Sequence, residues 1–256
     1  MLYRWTTLAL LLAWLAGAQE LSTSLRLESQ MVLQRGFEVV TSFQQEDGSW
    51  GGECGLTARC MLALAATGLK GDYAPLKPSY DAAFAFLRHH AAECPPNEMP
   101  LLVCALIRAG GSLKGDSQAF LKALAGVSEG GNSLCAMEAL CLCDAYKMEE
   151  GNLVLRRLMD HQTRPAYKAA AAALCSGDVP PLSLRRDCTD EEELYWAVRA
   201  LFARPEAGDG NWRNTAVSIL LDRLKTDGAW GESADTVFAR LHATTFALQT
   251  IILCTP

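Results

Sequence analysis

The sequence predicts an all-α fold, an α/α toroid of about six helical hairpins arranged as inner and outer rings, and three observations carry that expectation. Segments of two kinds alternate, one amphipathic with charges on one side, the other rich in Ala, Leu and Cys with few charges. About six of the second kind recur a few tens of residues apart, as a repeat architecture requires. The stretch Asp47-Gly48-Ser49-Trp50 returns as Asp227-Gly228-Ala229-Trp230, in the first and last hairpins, where a closing ring needs matched corners.

Met1-Leu2-Tyr3-Arg4-Trp5, the apolar run Leu8 to Leu15 and the small residues Ala16-Gly17-Ala18 form the three parts of a secretory signal peptide, residues 1–18. The mature chain is therefore expected to begin at Gln19 and to be secreted or periplasmic. Losing residues 1–18 removes one base, Arg4, and no acid, so the remainder is more acidic than the −6 of the whole chain. Scattered lysines and arginines on an acidic chain predict no nucleic-acid partner. No later stretch reads as apolar enough for stable membrane insertion after cleavage.

Residues 19–29 are polar and without period, a flexible lead-in to the toroid domain, residues 30–256. Outer helices are expected over roughly 30–45, 79–91, 116–126, 151–161 and 212–225. Inner helices are expected over roughly 55–68, 98–110, 133–146, 165–175, 190–203 and 241–254. A helix apolar nearly all round must be buried on all sides, which an inner ring provides. The stretch Ser176-Gly177-Asp178-Val179-Pro180-Pro181 stands where one outer helix should be. Gly110-Gly111, Gly130-Gly131 and the run Pro205 to Gly210 supply breaks. Small inner residues leave a central cavity, and its mouth, where the inner helices begin, is the expected site.

Each Asp-Gly-x-Trp stretch closes an amphipathic helix and opens a small-residue one. Asp-Gly gives a helix stop and a residue free to take positive φ, and the Trp offers a flat apolar face with one N–H that needs a partner. Gln45, Asp47, Gly48 and Trp50 thus read as one corner, and Asp227, Gly228 and Trp230 as the other. The Gln-x-x-Gly-x-Trp pattern, with Gln45 and Trp50, resembles the QW repeat of the prenyltransferase and squalene-cyclase superfamily, whose members are α/α toroids. Lys225 replaces the Gln in the second copy, and Glu129-Gly130-Gly131-Asn132 is a worn remnant of a middle one. The closing run Arg240-Leu241-His242-Ala243-Thr244-Thr245 looks like the last repeat of short secreted bacterial toroid proteins, whose function is generally unassigned.

Ten cysteines in an exported chain invite disulfides, yet most sit where a helix wants a small buried residue, so mostly free buried thiols are expected. Cys54, Cys60, Cys94 and Cys188 are the candidates for any bridge. Cys-x-x-Cys and His-x-x-x-His spacings are absent, so no cofactor is expected from motifs.

The candidate chemistry lies in Asp187-Cys188-Thr189-Asp190-Glu191-Glu192-Glu193-Leu194-Tyr195-Trp196. It resembles the Asp-Cys-Thr-Ala-Glu acid motif of oxidosqualene cyclases, which implies Asp187 as a proton donor, with Asp190 in place of the Ala. A buried carboxylic acid of raised pKa suits such work. It also resembles the β subunit of protein prenyltransferases, which implies a zinc site of Asp190, Glu192 and His242 with the family's thiolate missing. The same residues form a capping box with three acids in a first helical turn, and the capping reading is preferred. His242 likewise reads first as a hydrogen-bonded core residue.

The expected function is a non-catalytic binding role for an unknown ligand or protein partner, using the mouth near Asp190, Glu192, Tyr195, Trp196 and His242. The alternative is a metal-dependent or acid-base enzyme at the same mouth, with Asp187 and Asp190 as catalytic acids.

Overall fold

The computed structural model describes residues 20–109, 131–142, 149–160, 162–175, 177–185, 190–232 and 235–255. Among them there are ten α-helices and no strand, so the all-α expectation holds. The signal segment 1–18, the outer helix over 116–126, the remnant Glu129-Gly130, His161, Asp187 and the cysteines 143 and 188 lie outside the described residues.

Helix α1, Thr23–Ser42, starts inside the stretch that reads as a flexible lead-in, because Ser22 caps it by accepting from the Leu25 N–H. Its buried Val32, Leu33, Gly36, Phe37 and Val40 form one stripe of helical spacing. Helix α2, Cys54–Ala66, is different: every residue from Cys54 to Leu64 is buried. Then come α3 (Lys77–His90), α4 (Met99–Arg108), α5 (Gly131–Leu142), α6 (Glu149–Asp160) and α7 (Pro165–Leu174). Helices α8 (Glu191–Ala203), α9 (Trp212–Arg223) and α10 (Val237–Cys254) complete the set.

Helix α2 packs on α4, α4 on α5, α5 on α7, α7 on α8, α8 on α10, and α10 on α2. The others lie across these pairs: α3 over α2 and α4, α6 over α5 and α7, α9 over α8 and α10, and α1 over α10 and α9. Between α7 and α8 the described residues 177–185 are irregular, as expected. Helix α10 is, contrary to the sequence expectation, long and apolar enough to cross a membrane, but more than half of that window is buried inside the protein. It packs as a core helix, in contact with α1, α2, α8 and α9.

The two corners repeat one hydrogen-bond pattern. Trp50 is fully buried, and its indole N–H donates to the Val40 carbonyl of α1 at 2.7 Å while its backbone N–H donates to Thr57 Oγ1 of α2 at 3.0 Å. Trp230, also fully buried, donates to the Leu220 carbonyl of α9 at 2.8 Å and to Thr244 Oγ1 of α10 at 3.1 Å. Each corner therefore fastens one helix to the next. Asp47 and Asp227 close the turn by accepting the N–H two residues on, and Gly48 and Gly228 take φ of 89° and 86°. The Gln45 and Lys225 positions share a main-chain role, each donating its N–H to the carbonyl of Ser49 or Ala229, and in the first copy Gln45 Oε1 also accepts from Ser49 Oγ at 3.1 Å. A lysine can replace the glutamine there because the turn uses no side-chain group at that position in the second copy; Lys225 Nζ instead reaches Glu232 at 3.4 Å.

The eight described cysteines are free thiols, most of them buried, including the bridge candidates Cys54, Cys60 and Cys94.

Candidate functional site

The first turns of α2, α4 and α10 converge around a cavity of about 320 Å³, lined among others by Gly55, Asn97, Glu98, Phe238 and His242. Gly55 is small for a reason. Its N–H donates to Glu98 Oε2 at 2.6 Å, and a Cβ at that position would lie 2.8 Å from the same carboxyl group. Phe238, half-exposed, forms one wall of the entrance, and its ring covers Gly51.

Arg59 and Leu101 line this mouth and also a deeper chamber of about 20 Å³, whose other walls include Arg108, Glu138, Tyr195 and Trp196. The floor is a charge network. Glu138, buried in α5, accepts from Arg108 of α4 and, at 3.0 Å, from Arg199 of α8. Burial alone would raise the Glu138 carboxyl, but Arg199 and Arg108 together outweigh it and hold the group below its usual range. Arg199 also donates to the Tyr195 hydroxyl at 2.9 Å. Burial raises the Tyr195 hydroxyl, so it keeps its proton.

Arg59 sits between mouth and floor and is only 5% exposed. Its guanidinium lies 4.2 Å from the centre of the Phe246 ring, and among the described residues no acceptor takes a hydrogen bond from it. The Trp196 indole N–H is also buried without an acceptor; it lies near Glu192 but outside hydrogen-bonding geometry. His242 and Glu192 are among the perturbed groups within the electrostatic reach of Arg59. Burial, reinforced by Arg59, pushes His242 down to about 3, so its imidazole is neutral. Burial raises the Glu192 carboxyl against the opposing pull of Arg59.

The sequence-predicted residues fall into two groups. Tyr195 and Trp196 line the chamber and His242 lines the mouth. Glu192 lines neither cavity but lies within the electrostatic reach of Arg59. Asp190 is the N-cap of α8: it accepts from the Glu193 N–H at 2.7 Å and lies 3.6 Å from Arg164. It shares neither cavity wall. No group of three His, Cys, Asp or Glu side chains is placed to hold a metal ion among the described residues. Sequence reasoning missed Arg59, Glu138 and Arg199. A signal existed: Arg59 is the one charge in α2 and Glu138 the one charge in α5, each set in an otherwise uncharged helix buried all round. A charge in that setting must face a cavity or a partner.

No family model, no curated protein and no solved structure matches the chain.

Proposed function

We propose that the chain is an exported α/α toroid of the prenyltransferase and squalene-cyclase class that binds a small organic molecule in its central cavity. The observation that carries this reading is the mouth of about 320 Å³ where α2, α4 and α10 begin, leading past Arg59 to the polar chamber beneath. The order of helix contacts, which returns to α2 at α10, and the two matched tryptophan corners support the toroid part. Export rests on the signal-peptide pattern of residues 1–18.

The test plugs the mouth. Ala239 lines the cavity and is exposed, so Ala239→Trp fills it without touching the core. In the mature chain, small organic ligands found by thermal shift are expected to lose their effect in Ala239→Trp while its own melting stays cooperative. A shift that survives the plug places binding elsewhere and ends this reading.

Acid-base catalysis is the second reading, favoured by one observation: a carboxyl of raised pKa at Glu192 and a neutral imidazole at His242 near the same guanidinium. Its metal-dependent form predicts about one zinc per chain by elemental mass spectrometry, lost in His242→Ala with folding intact. A chain that stays metal-free when zinc is supplied removes that form.

A further inference from the structure

We propose that the cavity's ligand is an organic monoanion, a carboxylate with an apolar body, anchored through its carboxylate by Arg59. The inference rests on the cavity-binding reading and deepens it. A guanidinium 5% exposed and without an acceptor is an unusual thing to bury, since an unpaired buried charge costs several kcal/mol. Phe246 occupies one face of it at 4.2 Å, which leaves the edge of the fork for a planar bidentate acceptor.

The chamber has acceptors in Glu138, already engaged by two guanidiniums, and in the Gln249 amide, but two further donors are unused. Tyr195 already accepts from Arg199, and among the described residues nothing takes its own proton. Trp196 carries a buried N–H with no acceptor. A chamber rich in unused donors matches an acceptor-only headgroup, which a carboxylate is.

Charge limits that headgroup to one negative unit. Three guanidiniums, Arg59, Arg108 and Arg199, stand against two carboxyl groups, Glu138 at the floor and Glu192 within reach of Arg59. One guanidinium is left over. Glu53 and Glu98 stand at the mouth and oppose the entry of polyanions. Size sorts the two ends of the ligand. The chamber of about 20 Å³ holds a group of roughly water to carboxylate size, whereas the mouth of about 320 Å³, with Leu56, Leu101 and Phe238, takes an apolar body.

Isothermal titration of the mature chain with phenylacetate, hexanoate and indole-3-acetate, each beside its primary amide, tests the proposal. At least one carboxylate is expected to bind about 10-fold or more tightly than its amide, the usual margin for a charge-assisted pair. Arg59→Met is expected to remove that preference, and Arg59→Lys to keep part of it. Carboxylate and amide binding equally well would overturn the anion assignment while leaving the cavity a binding site. Binding of neither, with Ala239→Trp also indifferent to the ligands of the thermal-shift screen, would overturn both. Inorganic phosphate or diphosphate binding more tightly than every monocarboxylate would overturn the monoanion assignment. If Arg59→Met fails to fold, the carboxylate and amide comparison on the native chain still decides.

Discussion

The guanidinium of Arg59 in α2 lies over the face of Phe246 in α10 at 4.2 Å, a cation-π contact made between two helices in the buried centre of the molecule. Such a contact is worth about 2 kcal/mol or more when both partners are desolvated. A double-mutant cycle with Arg59→Met and Phe246→Leu, followed by urea unfolding, is expected to give a coupling of about 1–2 kcal/mol. Zero coupling would mean that the two side chains are neighbours without mutual stabilisation.

Glu138 holds Arg108 and Arg199 together at the floor of the chamber. Glu138→Gln keeps the shape and leaves both guanidiniums facing a neutral amide. The expected loss is about 3–5 kcal/mol, the cost of breaking a buried ion pair from one side. The pH dependence has a definite sign. The folded-state pKa is depressed, so the stabilisation is fully present above the ordinary glutamate value of 4.5 and is lost as pH falls through the lower folded value. The native protein should therefore lose stability more steeply with acid than the Gln variant; parallel unfolding curves across that range would contradict this.

His242 is held neutral by burial and by Arg59, at about 3 against the ordinary 6.5. Between those values the unfolded chain binds the proton and the folded chain does not, so this group's contribution to stability falls as pH drops from 6.5 toward 3. In an NMR titration the His242 ring resonances are expected to stay fixed until pH approaches the lower value. A midpoint near 6.5 would show an imidazole open to water.

The two corner glycines share a backbone conformation but have different neighbours. A Cβ on Gly48 would lie 2.4 Å from the Ala82 carbonyl oxygen of α3, a backbone atom, whereas on Gly228 its nearest neighbours would be side-chain atoms of Arg35, at 3.3 Å, and Val39, at 3.7 Å. Both alanine variants carry the cost of positive φ, about 1–2 kcal/mol. Gly48→Ala adds a backbone clash of about 1–3 kcal/mol and should melt several degrees below Gly228→Ala. Equal melting temperatures would show that α3 yields to the new methyl group.

The corners were legible because everything they need lies within a few residues: a stop, a positive φ and a ring with one donor. Buried helices such as α2 were legible because a segment apolar all round has one place to go. Helix α1 extends back to Thr23 through polar residues, since Ser22 caps it and a solvent-facing turn carries no apolar period. The site was half legible. Tyr195, Trp196 and His242 were found from their neighbourhood in the sequence, but Asp190 and Glu192, two residues apart, diverge. Asp190 turns back to cap its own helix while Glu192 goes to the interior, and the sequence carries no mark that separates them. Arg59 and Glu138 lie on different helices, so only packing brings them to one chamber.

The first described helix and the last ones meet. The Ser22 N–H donates to Asn214 Oδ1 at 3.1 Å, Arg35 donates to the Thr226 carbonyl at 2.6 Å, and α1 packs on α9 and α10. During synthesis part of the α1 stripe can meet Trp50 and Tyr73 early, whereas its contacts with α9 and α10 wait until those helices have followed. Closing the contact between the first described helix and the last ones is thus a late step of folding, and a chain stopped before α9 would leave part of the α1 stripe facing water.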